Sequence, residues 1–422
     1  MSTSGDRAIS RRAVLSGAAA GLAGVGLAPT GVAHAGGSPL DQDALDAVAS
    51  RLDAGLVALR RDIHRHPELA GQEERTAAVV ARRLRAAGLT VTTGVGGHGV
   101  VGILRGAHRG RTVAYRADMD AVPPDEQFGG DGGGPAAHLC GHDIHTTVGV
   151  GVAEVLARLR HRLAGTVVFV FQPAEETLSG AAAMLDDGVF ARTRPAEIHA
   201  LHCGPWPVGE FLVMPGFGLP GLDRGTITLT GPDAPARAQR LAAEIGTLGT
   251  VTPPATPADL EQLVADVETP DGPLARFVFM GARVSEAQVQ VSFRCWPEDR
   301  YVEIREDIGR LAHSAGEATV DFPTEPFPAM VCPEWESQAL RRHLRQALGR
   351  DRVGTLHAAI PFNGEDFALF LDRMPGTFAF LGVRAPGAPM ESAYPHFVDF
   401  TPDERAIGHG VRAMAGWLAR RT

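Results

Sequence analysis

Lysine is absent from this chain: all 40 of its lysine-plus-arginine residues are arginines. That excludes every chemistry that needs a lysine, including the Walker phosphate loop, Schiff-base and pyridoxal catalysis, the Ser-x-x-Lys acyl-enzyme and the protein-kinase site. Biased codon usage explains the swap without appeal to mechanism, and the exclusions hold either way. Asparagine is nearly absent too. Asn363 stands alone in 422 residues, and because Gly364 and Glu365 follow it, the chain has no N-glycosylation acceptor. The four cysteines, Cys140, Cys203, Cys295 and Cys332, are too few and too scattered for a disulfide framework. Long hydrophobic runs are missing from the body, whose apolar stretches of 5–8 residues are too short to span a membrane. Net charge is −9 and no basic run follows the first few residues, so nucleic acid is not an expected partner.

What is present is ordinary for a globular protein, 44% apolar and 21% charged. The length suits two domains, or one large domain with an insertion. Residues 1–35 read as an address. Arg11 and Arg12 precede an apolar, small-residue stretch over 14–28, and Ala33-His34-Ala35 fits a signal-peptidase site. The expectation is a twin-arginine signal that exports the protein already folded, leaving it secreted or extracytoplasmic and free of the membrane after cleavage.

Apolar residues recur at three- and four-residue spacing over 45–63, which predicts a helix, and 72–87 predicts a second, stopped by Gly88. Strands are expected at 100–104 and 112–115, a helix at 146–162, and a strand at 166–171 that is apolar on both faces, as in a buried parallel sheet. The pattern over 223–324 differs. Strand 226–230, helix 234–245, a further helical piece at 258–267, strands 275–281 and 287–293, helix 303–315 and strand 318–322 follow the βαββαβ order of a ferredoxin-like unit. The expected fold is therefore α/β: a catalytic domain with a mostly parallel central sheet flanked by helices, in two parts (36–222 and 325–422), interrupted by an inserted lid (223–324).

The densest chemistry is His138-Leu139-Cys140-Gly141-His142-Asp143-Ile144-His145. Thiolate, imidazole and carboxylate so close suit a borderline-soft divalent ion. A zinc finger would need a second nearby pair and a haem site would need Cys-x-x-Cys-His; neither is present. Upstream, Asp118 and Asp120 stand at i and i+2 of an extended segment and point the same way, so one of them can hold a ligand histidine in its tautomer. Downstream, the apolar strand ends in Gln172-Pro173-Ala174-Glu175-Glu176. Adjacent residues face opposite sides there, so one glutamate can bind metal while its neighbour reaches water. His199 and His202 end a short strand, 197–202, and His396 follows Tyr394-Pro395 before the last helix.

With His64-Arg65-His66-Pro67-Glu68-Leu69 and Gly364-Glu365-Asp366-Phe367, these stretches resemble, in order, the aminoacylase, hippurate hydrolase and auxin-conjugate hydrolase branch of the co-catalytic metallopeptidases. The resemblance implies that Cys140, His142, Glu176, His202 and His396 hold two divalent ions, Cys140 bridging them, with Glu175 as general base and Asp120 orienting and polarising the site. Thiolate ligation permits Zn, Mn, Co or Ni. The implied substrate is a small amide, an N-acyl amino acid. An exopeptidase or dipeptidase on the same machinery is the alternative, and a non-catalytic metal- or ligand-binding protein is the third reading. The family often dimerises through its lid, which leaves a homodimer open.

The lid departs from the family pattern. Its usual histidine segment is replaced by Thr228-Leu229-Thr230-Gly231-Pro232-Asp233-Ala234-Pro235, and the insertion's one histidine is His313. Its usual asparagine is missing, since Asn363 lies outside the insertion. Arg283 and Arg294, on the lid strands, are the candidates for a carboxylate or oxyanion contact in its place.

Overall fold

Strands that are apolar on both faces need cover on both, and the helices of this chain supply it. The structure is a computed structural model that describes residues 40–123 and 135–422; the segment read as an export signal lies outside the described residues. In chain order come α1 (Gln42–Ser50), α2 (Asp53–His64), α3 (Glu74–Ala86), β1 (Thr90–Val95), β2 (Gly99–Arg105), β3 (His108–Asp118), α4 (His142–Arg158), β4 (Ala164–Gln172), α5 (Gly180–Asp186) and β5 (Ile198–Pro207). Next are β6 (Phe211–Val213), β7 (Gly218–Leu219), β8 (Asp223–Leu229), α6 (Ala234–Gly246), α7 (Pro257–Glu268), β9 (Phe277–Ser285), β10 (Gln288–Trp296), α8 (Tyr301–Ser314) and β11 (Ala318–Asp321). The chain finishes with β12 (Met330–Val331), α9 (Glu334–Leu348), β13 (Val353–Thr355), α10 (Ala368–Leu371), β14 (Gly376–Arg384) and α11 (Arg405–Arg421).

The large sheet runs β1-β2-β4-β3-β5-β14-β6-β13. Its four central strands, β4, β3, β5 and β14, are mutually parallel; β2 joins β4, β1 joins β2 and β6 joins β14 by antiparallel pairings, and β13 runs parallel to β6 at the edge. Alternation splits the side chains into two cores. Val113, Tyr115, Val167, Phe169 and Phe171 pack with α1–α4 and α11, whereas Ala114, Val168 and Val170 pack with α5, α7 and α10 on the other face. A smaller antiparallel sheet, β11-β8-β10-β9, spans 223–321 and packs against α6 and α8 around Ile227, Leu241, Phe293 and Ile308. Its order of elements is βαββαβ with α7 added. No helix among the described residues is long and apolar enough to cross a membrane.

Three expectations need correcting. The helix over 45–63 is two helices: Arg51 and Leu52 donate to the carbonyls of Val48 and Ala49, an i→i+3 turn that interrupts the ladder. The helix over 146–162 begins at His142 and ends at Arg158, so His142, Asp143 and His145 sit in its first turn and Cys140 just before it. The helical piece at 258–267 does not join the small sheet. Its apolar residues Leu260, Leu263, Val264 and Val267 pack with Trp206 of β5 and Leu356 just beyond β13.

Candidate metal centre and substrate pocket

Sheet register gathers the site. β3 and β4 run parallel with Asp118 opposite Gln172, so the residues just beyond them, Asp120 and Glu175-Glu176, emerge side by side at the carboxyl edge. β5 pairs with β3 at Ala200 opposite Arg116, which puts His202 level with Asp118. Between Cys140 and His142 the chain needs a glycine. Gly141 has φ +89°, and a Cβ there would lie 2.8 Å from Cys203 Sγ. His396 is held beside this turn by donating its N–H to the Leu139 carbonyl at 2.8 Å, in a left-handed backbone conformation (φ +70°).

Ligand atoms of Cys140, His142 and His202 lie within 4.8 Å of one another, as do those of Cys140, Glu176 and His396, and those of His142, Glu175 and Glu176. Cys140 Sγ is 3.5 Å from His202 Nε2, and His396 Nε2 is 3.5 Å from Glu176 Oε2. His142 Nε2 is 3.6 Å from Glu176 Oε1 and 3.8 Å from Glu175 Oε2. His142 Nε2 and Glu176 Oε1 are buried and have no hydrogen-bond partner among the described residues. The nitrogen–oxygen gaps are long for hydrogen bonds, and they suit atoms that bind an ion from about 2 Å. The seven residues singled out from the sequence thus surround one space.

The charges around that space call for a cation. Asp118, Asp120, Glu175, Glu365 and Asp366 are buried, and Arg116 is the buried cation among them. Burial, then the carboxylates of Glu365 and Glu176, pushes Glu175 well up. Burial, then Glu176 and Glu175, raises the Cys140 thiol, so its thiolate needs a positive neighbour. His142 rises to about 10: burial pulls it down, but Asp118 and the bond to Asp120 outweigh that. Burial, reinforced by His145, holds His202 well below the usual imidazole range, in the neutral form a ligand must have.

The supporting groups were only partly visible in the sequence. Asp120 Oδ1 meets His142 Nδ1 at 3.2 Å while its Oδ2 accepts the Glu176 N–H at 2.9 Å. Asp118, the other member of that pair, is committed elsewhere, to Arg116 at 2.6 Å and to His145 Nδ1 at 2.6 Å. His145 Nε2 in turn accepts the Cys203 N–H at 2.8 Å, which engages both of its nitrogens and removes it from the donors. Arg116 also donates to Gln172, Glu365 and Asp366. The stretch from Gly364 to Phe367 was therefore a signal for a buried network without a role attached. Similarly, Glu73 Oε1 accepts the N–H of Ala174, immediately before Glu175, at 2.9 Å.

A cavity of about 610 Å³ opens from the donors, with Cys140, Glu175, Glu176, His202 and His396 in its lining. Arg294 and Arg224 reach it from the small sheet, and Asn363, outside that sheet, also lines it. Arg294 donates to the Gly221 carbonyl at 3.3 Å and forms no ion pair among the described residues. Burial, then the charge of Arg224, lowers it to about 10, which makes it ready to receive an anion. Arg283, the other candidate, is exposed on β9 and takes no part in the lining. The side chain of His313 is bonded within its own helix, to the Gly309 carbonyl.

Residues 114–420 match the model of Peptidase family M20/M25/M40. The chain is 29% identical to N-acetylcysteine deacetylase of Bacillus subtilis (strain 168) over 369 residues, 83% of this chain and 93% of that protein. It is 29% identical to IAA-amino acid hydrolase ILR1-like 5 of Arabidopsis thaliana over 388 residues, 86% of each. The crystal structure of Bacillus subtilis YXEP protein, described as a dinuclear metal binding peptidase from the M20 family, is similar with a TM-score of 0.66 at 27% identity, covering 88% of this chain and 99% of that one.

Proposed function

The chain belongs to peptidase family M20/M25/M40, and from that premise we propose that it is a metal-dependent amidohydrolase that cleaves the amide bond of N-acyl amino acids. The observation that carries the reading is the overlap of two donor trios at Cys140, with His142 and His202 on one side and Glu176 and His396 on the other. These five residues would hold two divalent ions; the similar YXEP protein is described as a dinuclear metal binding peptidase. When bound, such ions lower the pKa of water and polarise a carbonyl.

The chain's own groups complete the reaction. Glu175, beside Glu176 and at the cavity wall, takes a proton from the attacking water onto its carboxylate. As the carbon–nitrogen bond breaks, it passes that proton to the leaving nitrogen, so a carboxylic acid and a free amine result. Arg294 receives the carboxylate of the amino-acid half, which orients the amide toward Glu175.

Two further parts of the reading rest on sequence. Arg11 and Arg12 support export of the folded protein by the twin-arginine route, and the small sheet is the surface through which a homodimer would form. One experiment tests the function: metal analysis of the protein joined to release assays on N-acetyl and hippuryl amino acids and on dipeptides. The expected result is two ions per chain and release from the acyl substrates. Faster release from dipeptides would replace the reading with an exopeptidase. Metal-replete protein that turns over nothing would overturn it.

A further inference from the structure

Helix α7 lies between α6 and β9 in the inserted segment, yet it belongs to the other domain by packing. Its apolar stripe at Leu260, Leu263, Val264 and Val267 joins the cluster of Trp206, Leu356 and Tyr394 and not the core of the small sheet. Both ends are tied down. Thr256 and Asp259 form a capping box at the start, with Pro257 in the first turn. At the other end Trp206 Nε1 donates to Glu268 Oε1 at 2.5 Å, and the His357 N–H to the Val267 carbonyl at 2.8 Å. The helix is thus fixed on the catalytic domain independently of the sheet that flanks it in sequence.

Its position has a chemical consequence. Leu263, Val264 and Val267 line the cavity that contains the metal-type donors, and Phe327, Ile360 and Phe362 extend the apolar lining. An apolar wall gains only from an apolar occupant. An acetyl group and a small side chain would leave much of the 610 Å³ unfilled.

We propose that α7 is the wall of an apolar subsite, supplied by the chain itself, that selects amides carrying a bulky aliphatic or aromatic group. The reaction it serves rests on the amidohydrolase reading; the subsite itself is a matter of binding and is testable apart from it. The bulky group can belong to the acyl part or to the amino-acid side chain, and two substrate series separate these sources.

The test compares the metal-loaded protein with Val264→Trp, which fills the subsite, and Val264→Ala, which enlarges it. The values of kcat/KM are measured on N-acetyl-, N-hexanoyl- and N-benzoyl-glycine, and on N-acetyl-glycine, -leucine and -phenylalanine. The wild type is expected to prefer the larger member of one series by about tenfold or more; which series responds identifies the source. Val264→Trp should erase that preference, and Val264→Ala should shift it toward larger groups. Calorimetric binding of 4-phenylbutyrate needs no turnover, and should weaken about tenfold in Val264→Trp. Loss of that binding in a protein that hydrolyses nothing would sink the amidohydrolase reading and leave the subsite standing. Unchanged size preference and unchanged 4-phenylbutyrate affinity would overturn the subsite. If Val264→Trp does not fold, that same outcome in Val264→Ala alone overturns it.

Discussion

Asp120 Oδ1 lies 3.2 Å from His142 Nδ1, and that contact decides which edge His142 presents. With Nδ1 engaged, Nε2 is left toward Glu176 and Glu175, at 3.6 and 3.8 Å. The same carboxylate accepts the Glu176 N–H, so one side chain sets two of the donors at once.

Asp120→Ala should therefore weaken metal binding by about 10–100-fold, the usual effect of removing a group that orients a ligand. Competition against a chelating dye measures it. Equal affinity in the variant and the parent would show that His142 is oriented by its packing alone.

Glu175→Gln separates proton transfer from metal binding. The amide keeps the size of the carboxyl group but neither accepts nor returns a proton, so kcat should fall by about 10²–10⁴ while metal content stays at the parent level. Near-parent turnover would assign the base elsewhere.

Gly141→Ala combines two costs. The backbone at φ +89° disfavours a side chain, and the new Cβ would stand 2.8 Å from Cys203 Sγ. Backbone strain of this type costs about 1–3 kcal/mol. A lowered Tm and a lowered metal affinity should appear together, because Cys140 and His142 flank the strained residue. A variant with parent Tm would mean that β5 gives way freely at Cys203.

Arg294→Ala tests the carboxylate contact. Hydrogen bonds to a charged group contribute about 1.5–3 kcal/mol, so kcat/KM should fall by about 10–100-fold on substrates with a free carboxylate. The corresponding carboxamides, already slow, should lose little further. An equal loss on both would show that Arg294 supports the pocket and not the substrate's charge.

The local clusters were legible because covalent spacing carries them. Cys140, His142 and His145 lie within six residues, and Glu175-Glu176 directly follow a strand whose apolar run reads as buried. The duties within each cluster were less legible. Asp118 and Asp120 look equivalent in sequence, yet Asp118 faces Arg116 and His145 while Asp120 faces His142. His145 looks like a donor until both its nitrogens are found occupied. Arg283 and Arg294 stand on the same face of the small sheet, since Arg283 pairs with Gln290 and Arg294 follows it by four residues, but they lie at opposite ends of the β9–β10 hairpin, so only Arg294 reaches the cavity.

By itself the sequence determined what chemistry is available. A chain without lysine, with one asparagine, can still supply thiol, imidazole and carboxylate, and short-range spacing places these in strand ends and a helix's first turn. Periodicity, a local property, also marked the longer helices and several strands, though not where the first helix breaks or how early α4 begins. Only the tertiary structure decided which of these groups share one space. His202 and His396 reach Cys140 through sheet register and a left-handed turn, which act between residues far apart in the chain. The place of α7 was decided the same way: an amphipathic stripe states that a face must be buried, and the available surfaces determine against what.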